Sequence, residues 1–155
     1  MNRASILKYM KEEQSNCVFC KILAGTLPVS LVYEDDEVAV FPPLQPVNPG
    51  HLLIIPKQHA PYMKDLDSGT LSYMMEIAQR LNGAIRQSKY PCEGVNLFLA
   101  DGEAAQQEVF HLHLHIYPRY PADGFGFKYD PSRHFIHMER SELNSIAQEI
   151  KKNLS

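Results

Sequence analysis

The stretch His111-Leu112-His113-Leu114-His115-Ile116-Tyr117 decides the fold, because imidazole and aliphatic side chains alternate in it one for one. A β-strand sends successive side chains to opposite faces of its sheet. The pattern therefore predicts a strand, ended by Pro118, whose aliphatic face anchors in a core while its histidine face looks into a site. An exposed polar strand would be served equally well by lysine, threonine or glutamate. We interpret the histidine face as a site for catalysis or metal ligation by imidazole.

Apolar patterns elsewhere in the chain predict the other elements. Residues 69–88 are predicted to form the main helix, because apolar side chains recur there at steps of three and four. These side chains are Leu71, Met74, Met75, Ala78, Leu81 and Ile85. The remaining predictions are a hairpin of 31–33 with 38–41, strands at 52–55 and 95–99, a short helix at 17–24 and a helix at 139–152. This order, with short links, predicts an α+β fold with a mainly antiparallel sheet.

The composition narrows the classes of function. The 155 residues are 45% hydrophobic and 21% charged, which is typical of one globular domain with a good core. The net charge of −3 argues against a nucleic-acid or membrane partner. No apolar run suits a bilayer span, and charged residues near the N-terminus interrupt any signal-peptide pattern. We therefore expect a cytoplasmic location, in which three cysteines are not a disulfide framework.

Cys17 and Cys20 form a Cys-x-x-Cys motif. By itself this motif is compatible with half of a zinc site, with a redox pair, or with two buried thiols. A thioredoxin-like pair is the weakest of these interpretations, because no βαβ pattern surrounds the motif. A structural zinc ion takes four ligands, so two more would have to come from elsewhere in the chain.

Four stretches, in order, resemble the histidine triad (HIT) hydrolase family, in particular its bacterial Hint-like and diadenosine-polyphosphate-hydrolase-like members. The family pattern is His-x-His-x-His-x-x with hydrophobic x, and residues 111–117 match it throughout. The other stretches are Asn16-Cys17-Val18-Phe19-Cys20-Lys21-Ile22, Pro49-Gly50-His51-Leu52-Leu53-Ile54-Ile55-Pro56-Lys57-Gln58-His59, and Pro118-Arg119-Tyr120 with Asp123-Gly124-Phe125. We therefore divide the chain into an N-terminal helical extension (1–15), a HIT domain (16–125), and a C-terminal loop and helix (126–155) packing on the domain.

The resemblance implies a five-stranded antiparallel sheet with two main helices, in a homodimer. It also implies hydrolysis or transfer at the α-phosphate of a nucleotide, an adenosine or guanosine phosphate. Typical family substrates are nucleoside phosphoramidates, adenylated amines and dinucleoside polyphosphates.

Imidazole suits this chemistry, because it is uncharged at neutral pH and approaches an anionic phosphorus centre without repulsion. Our hypothesis is that His113 attacks the α-phosphorus, forming a nucleotidyl-histidine that water then cleaves. We expect His115 to hydrogen-bond a phosphate oxygen or to help protonate the leaving group. By resemblance, His51 is a further histidine near the phosphate. The candidate substrate contacts are Gln107, by resemblance, and Asn48, which is with Gln45 an alternative source of ribose contacts. A third is Arg119, which is either a phosphate clamp or a solvated surface arginine.

The resemblance to bacterial members implies zinc ligands as well. They are Cys17, Cys20, His59 and His111. This assignment divides the histidines, since His111 goes to a structural zinc ion and His113 to the chemistry. The alternative is a pair of buried thiols beside two hydrogen-bonded histidines.

Three positions depart from the family pattern. Pro43 stands where most members carry an acidic or amide residue that binds ribose, Ala100 stands where members often have Asn or Gln, and Gln106 replaces a loop glycine. The catalytic imidazoles are kept, whereas these nucleoside contacts are not. Two other functions therefore stay open. One is a nucleotide-binding or interaction module with little turnover, and the other is a metal hydrolase whose zinc is held by the three clustered histidines.

Overall fold

A computed structural model of the chain describes residues 15–126 and 135–154. They belong to two compact units that divide between Asp123 and Gly124. The helical extension expected at 1–15 lies outside the described residues apart from Ser15. The expected packing of residues 126–155 on the domain stays a prediction. Within the described ranges, no helix combines the length and the apolar composition that crossing a membrane requires.

The first unit is built on one sheet. Its elements are α1 (Val18–Leu23), β1 (Tyr33–Glu34), β2 (Val38–Phe41), β3 (Leu52–Pro56), α2 (Ser68–Gln87), β4 (Gly94–Leu99) and β5 (Leu114–Arg119), with short 3₁₀ helices at Met63–Asp65 and Glu103–Ala105. The second unit contains α3 (Arg140–Lys152). The five strands lie in the order β1-β2-β3-β5-β4, and each neighbouring pair is antiparallel. This confirms the expected α+β class with a five-stranded antiparallel sheet.

Helix α2 begins after Asp67, whose carboxylate accepts a hydrogen bond from the Thr70 N–H at 2.9 Å. Such a cap satisfies one of the donors that the first helical turn leaves without an intrahelical partner. The buried side chains of α2 are Met74, Ile77, Ala78, Leu81 and Ile85. The prediction that Met75 shares this side was wrong, because its side chain is 51% exposed. Ile77 takes its place, three residues after Met74 and four before Leu81.

The two faces of the sheet pack against different helices. The face towards α2 forms the main core with side chains from three strands, namely Val38, Val40, Leu52, Ile54, Leu114 and Ile116. On the opposite face, Phe41, Leu53 and Ile55 pack with Phe19 of α1. Both faces of β2 and β3 are therefore buried, which is why these strands are continuous apolar runs in the sequence.

Strand β5 starts later than its alternating pattern predicts, at Leu114 and not at His111. The backbone N–H of Leu112 donates to the Ala60 carbonyl at 2.7 Å, outside the sheet. The alternation of side chains nevertheless holds through this segment. Leu112 and Leu114 lie in the main core, whereas the rings of His111 and the next histidine contact Phe19 of α1.

The prediction that Pro118 ends β5 was also wrong, since the strand continues through it to Arg119. The pairing of β5 with β3 ends where Ile116 lies opposite Leu52, the first residue of β3. Pro118 lies beyond that point, so its missing N–H leaves no hydrogen bond to β3 unmade.

Candidate active site and metal cluster

Four histidines lie close together on the face of the sheet that α1 covers. His51, His111 and His113 are buried, and His115 is partly buried. The ring centroids of His113 and His115 are 4.9 Å apart, and those of His115 and His51 are 5.2 Å apart. Strand β5 and the residues before it supply three of these rings, and the residue that precedes β3 supplies the fourth.

His113 is held in one tautomer by the backbone. Its Nδ1 lies 2.8 Å from the main-chain carbonyl oxygen of His111. Because a carbonyl only accepts, Nδ1 carries the proton, and the lone pair of the neutral ring is on Nε2. Burial lowers the pKa of His113, while the hydrogen bond to His111 and the charge of Glu108 act in the opposite direction. The ring is therefore uncharged at neutral pH and offers Nε2 as a nucleophile.

His51 and His115 form a directed pair. Nδ1 of His51 accepts a hydrogen bond from the Val47 N–H at 3.1 Å, so the proton of the neutral ring is on Nε2. That Nε2 lies 3.0 Å from Nδ1 of His115. His51 is therefore the donor between the rings, and His115 carries its own proton on Nε2. Burial lowers the pKa of His51 to about 4 and, with the neighbouring His113 and His51, lowers that of His115 to about 3.

The loop that carries His51 is tied to β5 at Pro118. The side-chain amide of Asn48 donates to the Pro118 carbonyl at 2.8 Å and to the Asp123 carboxylate at 3.0 Å. The Asn48 carbonyl in turn accepts the backbone N–H of His51 at 3.0 Å. Gly50 has a φ of +90°, and a Cβ there would lie 3.2 Å from Cγ of Pro118. Asn48 and Gly50 thus fix the position of His51 relative to β5.

Arg119 belongs to the same network. Its Nε and Nη2 donate to the two carboxylate oxygens of Asp123 at 2.6 and 2.9 Å, a bidentate pair that raises the pKa of Arg119. The Asp123 side chain is only 3% exposed, so water screens the pair weakly. Arg119 also donates to the side chain of Asn96. Two of the candidate substrate contacts, Asn48 and Arg119, therefore meet at Asp123.

Gln107, the third candidate contact, is buried and bonded to the backbone. Its Oε1 accepts the Gly102 N–H at 2.8 Å, and its Nε2 donates to the carbonyls of Pro61 and Val109 at 2.7 and 3.1 Å. The side-chain amide of Gln107 thus links Gly102, at the start of the loop that precedes His111, to Val109 at its end. Next to it, Gln106 has a φ of +66°, in the left-handed region that favours glycine.

The four candidate metal ligands come together. The ligand atoms of Cys17, Cys20, His59 and His111 all lie within 4.8 Å of one another. Sγ of Cys20 is 3.2 Å from Nδ1 of His59 and 3.6 Å from Nδ1 of His111, and Sγ of Cys17 is 3.5 Å from the latter. A tetrahedron with zinc bonds of about 2.0–2.3 Å has edges of about 3.3–3.8 Å, so the three sulfur–nitrogen distances are close to those of a zinc site.

The protonation of this cluster also fits zinc. Nε2 of His111 lies 2.8 Å from the Pro56 carbonyl and so carries the proton, which leaves the Nδ1 lone pair facing the thiols. Burial and the neighbouring Cys17 raise the pKa of Cys20 to about 12, so a thiolate there needs a positive partner. In the described part of the chain, three or more potential ligands converge only here, and the group does not include His113.

Phe19 connects the metal cluster to the candidate nucleophile. It lies between the two cysteines in the sequence, in α1. Its ring meets those of His111 and His113 edge-on, with centroids 5.7 and 5.2 Å away. Helix α1, which lies beside both thiols, therefore also packs against His113 through Phe19.

Sequence analysis did not identify Val47 and Tyr117 as partners of the His51–His115 pair. Val47 contributes a backbone N–H, which no side-chain pattern reveals. Tyr117 stacks on His115 and contacts His51. Its position two residues after His115, on the same face of the strand, was the available signal.

Comparison with known proteins agrees with this geometry. Residues 24–122 match the family model described as the HIT domain. The chain is 34% identical to a HIT-like protein of Borreliella burgdorferi, over 90% of this chain and 99% of that protein. It is 37% identical to Protein hit of Bacillus subtilis, over 90% and 95% of the two chains. Identity to the adenylylsulfatase HINT3 of Arabidopsis thaliana is 31%, over 91% of this chain and 71% of that protein.

Solved structures show the same relationship. A HIT family protein from Bacillus subtilis matches with a TM-score of 0.81 at 35% identity, covering 90% of this chain and 98% of that one. A zinc-bound histidine triad family protein from Mycobacterium smegmatis matches with a TM-score of 0.70 at 33% identity, covering 90% and 99%. Because the family model covers most of the chain and these relatives align along nearly all of it, the chain belongs to the HIT domain family.

Proposed function

We propose that this chain is a nucleotide hydrolase or transferase that cleaves at the α-phosphate through a covalent nucleotidyl-histidine on His113. The observation that carries the proposal is the 2.8 Å hydrogen bond from Nδ1–H of His113 to the His111 carbonyl, which leaves Nε2 unprotonated. Relatives described as an adenylylsulfatase and as a HIT family hydrolase support a hydrolytic activity.

The reaction takes two steps. In the first, Nε2 of His113 bonds to the α-phosphorus while the bond to the leaving group breaks. The electron pair departs with the leaving group, which, when it is an amine, takes up a proton that comes from solvent water. In the second, a water oxygen attacks phosphorus, the electron pair of the P–N bond returns to Nε2, and the water releases a proton. The His111 carbonyl stabilises the imidazolium of the intermediate through Nδ1–H.

His115 assists by donating from Nε2, either to a non-bridging phosphate oxygen or to the departing atom. Such a bond strengthens as negative charge develops in the transition state, so it accelerates the chemical step. His51 acts through His115, because its Nε2–H occupies Nδ1 of His115 and so keeps the donor on Nε2.

The three candidate substrate contacts stabilise the loops and the strand end around the histidines. Asn48 and Arg119 hold the His51 loop and the end of β5, and Gln107 holds the loop before His111. We propose that other backbone amides of that loop donate to phosphate oxygens, since those of Gly102, Gln106 and Gln107 already bond within it. Because Pro43 offers no side-chain hydrogen bond to ribose, we propose a relaxed selectivity for the sugar. The substrate itself is proposed to be an adenosine or guanosine phosphate, as the resemblance implies.

Zinc, in this proposal, has a structural role. Cys17, Cys20, His59 and His111 would hold it, as their separations and their protonation suit a tetrahedral site. Bound zinc supplies a cross-link between α1 and the segments that carry the two histidines. The zinc-bound relative from Mycobacterium smegmatis supports this assignment.

The decisive experiment combines turnover with trapping. Purified protein is assayed with adenosine and guanosine phosphoramidates and with dinucleoside polyphosphates. We expect turnover by the wild type and none by His113→Ala. His137→Ala is the matched control, since that side chain is 92% exposed, and it should retain wild-type activity. Wild type denatured at alkaline pH during turnover, where a phosphorus–nitrogen bond survives, should carry a nucleotide on His113, and unchanged activity of His113→Ala would refute the mechanism.

The alternative of a nucleotide-binding module is separated by the same panel. Such a module would bind the substrates in calorimetry with no product and no covalent adduct. The alternative of a zinc hydrolase with three histidine ligands is disfavoured by geometry. His111 faces the thiols, while Nδ1 of His113 and of His115 are engaged by a carbonyl and by His51.

We also propose that the chain is a homodimer, as the resemblance implies. β4 lies at one edge of the sheet, and its Leu97 is 43% exposed. An open edge with apolar side chains is normally covered in folded proteins. Light scattering should give a mass near twice 17.7 kDa, and Leu97→Glu should shift it towards that of one chain. A wild-type mass of one chain would contradict the proposal.

A further inference from the structure

Three rings form a closed triangle beside the candidate nucleophile. The ring of Tyr117 lies 5.2 Å from that of His115 and 4.5 Å from that of His51, centroid to centroid, and the two histidine rings are 5.2 Å apart. The planes of Tyr117 and His115 differ by only 22°, so these rings stack. Tyr117 is 8% exposed. The tyrosine therefore packs on both members of the directed pair.

A stacked neighbour matters because an imidazole can present either of two edges. The χ2 torsion of histidine is broad and roughly two-fold, so the ring can turn by half a rotation at little intrinsic cost. That rotation exchanges Nδ1 with Cδ2 and Nε2 with Cε1. His115 would then present a C–H where it had presented its Nε2–H. A ring stacked almost parallel obstructs the rotation, because the turning imidazole must pass through an upright orientation.

The backbone around Tyr117 reinforces this arrangement. The next residue, Pro118, accepts the Asn48 side chain on its carbonyl and packs against Gly50. Two consecutive residues of β5 thus hold the His51 ring and the loop that carries it. A change at residue 117 acts on the contact between the rings without breaking these backbone anchors.

We propose that Tyr117 is a positioning residue whose ring holds the His51–His115 pair so that Nε2–H of His115 is presented to the departing group. The proposal rests on the function proposed above. It concerns the ring and not the hydroxyl, since the contacts that carry it are those of the Tyr117 ring with the rings of His115 and His51. Loss of the ring should therefore slow those substrates that depend on a donor at the leaving atom, and spare those that do not.

The test compares two leaving groups. An adenosine 5′-phosphoramidate of an alkylamine needs a donor at its nitrogen, whereas the 4-nitrophenyl ester of AMP releases a stable anion. For Tyr117→Leu we expect kcat on the phosphoramidate to fall about tenfold with KM unchanged, while kcat on the ester stays within about twofold. Tyr117→Phe keeps the ring and should match the wild type on both. An equal loss on both substrates, no loss, or a defect in Tyr117→Phe would overturn the proposal.

A second readout does not need turnover. Nitrogen-15 spectra of histidine-labelled protein distinguish protonated from bare ring nitrogens. His115 should be protonated on Nε2 in the wild type and in Tyr117→Phe. In Tyr117→Leu it should populate both tautomers, because a rotated ring no longer accepts the His51 hydrogen bond on Nδ1. If the wild type turns over neither substrate, the proposed function fails, and these spectra still decide the positioning role. An unaltered His115 spectrum in Tyr117→Leu would refute it, as would mixed tautomers in Tyr117→Phe.

Discussion

His51 and His115 are joined by one N–H···N hydrogen bond of 3.0 Å, and the Val47 N–H on the far side of His51 sets its direction. An additional proton on either ring would break one of these two hydrogen bonds or place two protons in one of them. Geometry as well as burial therefore keeps this pair uncharged.

Acid is expected to destabilise the fold through this pair. The folded-state pKa values are lowered to about 4 for His51 and about 3 for His115. The unfolded chain, with histidine pKa values of about 6.5, binds protons at a higher pH than the folded chain. The contribution of the pair is therefore complete above about pH 6.5 and is lost as the pH falls from there towards the folded values.

Urea unfolding at about pH 7.5 and about pH 5 measures this effect. The free energy of unfolding should fall between the two conditions, and it should fall less in His115→Gln. The candidate metal ligands are the same in both proteins, so their protonation cancels in the comparison. An equal pH dependence in both proteins would contradict the prediction.

Removing the two thiols should remove zinc. We expect elemental analysis to find about one zinc per chain in the wild type and almost none after Cys17→Ser with Cys20→Ser, because a four-ligand site loses half of its donors. The melting temperature should fall as well. Cys92→Ser is the control, since that thiol lies outside the cluster and donates a hydrogen bond to the Gly94 carbonyl at 3.3 Å. Full zinc content in the double variant would rule out these ligands.

Gly50→Ala should be far more costly than Gly25→Ala. Both glycines have a positive φ, of +90° and +70°, but only the Cβ at residue 50 would meet a neighbour, Cγ of Pro118 at 3.2 Å. We expect urea unfolding to show losses of about 3 kcal/mol for Gly50→Ala and about 1 kcal/mol for Gly25→Ala. Gly50→Ala should also lower kcat, because it displaces the His51 loop. Equal losses would show that the contact with Pro118 can relax.

Gln106→Gly should stabilise the protein. Gln106 has a φ of +66°, which costs a residue with a Cβ more than it costs glycine. Allowing for the greater chain entropy of unfolded glycine, we expect a gain of about 0.5–1 kcal/mol in urea unfolding. Gln106→Ala retains the Cβ and should change the free energy by less than about 0.5 kcal/mol. If Gln106→Ala raised the free energy of unfolding as much as Gln106→Gly, the destabilisation would come from the glutamine side chain and not from the backbone conformation.

The sequence predicted the faces of the sheet better than the ends of its strands. Alternation in the histidine stretch correctly divided leucines from imidazoles, because it follows from the geometry of an extended backbone. It did not reveal that β5 begins at Leu114, since the Leu112 N–H is taken by Ala60, which is remote in sequence. Likewise the helical period allowed both Met75 and Ile77, and only the position of the sheet against α2 decided between them.

In the candidate site, too, the local pattern predicted some features, and contacts between remote segments decided the others. Spacing alone left the role of Cys17 and Cys20 open, because their distances to His59 and His111 join segments 39 to 94 residues apart. The resemblance pointed to the four ligands, but not to the hydrogen bonds that set each tautomer. Those involve carbonyl and N–H groups that every residue carries, so no residue type marks them.

Phe19 has a consequence for anyone redesigning this protein. Its ring contacts both His111 and His113, and it lies in the short helix α1 beside Cys17 and Cys20, the candidate metal ligands. A variant without the candidate metal ligands therefore cannot be made by deleting that helix, since His113 would lose its contact with Phe19 together with the cysteines. A replacement segment would need an aromatic edge at the same place before any question of cysteines arises.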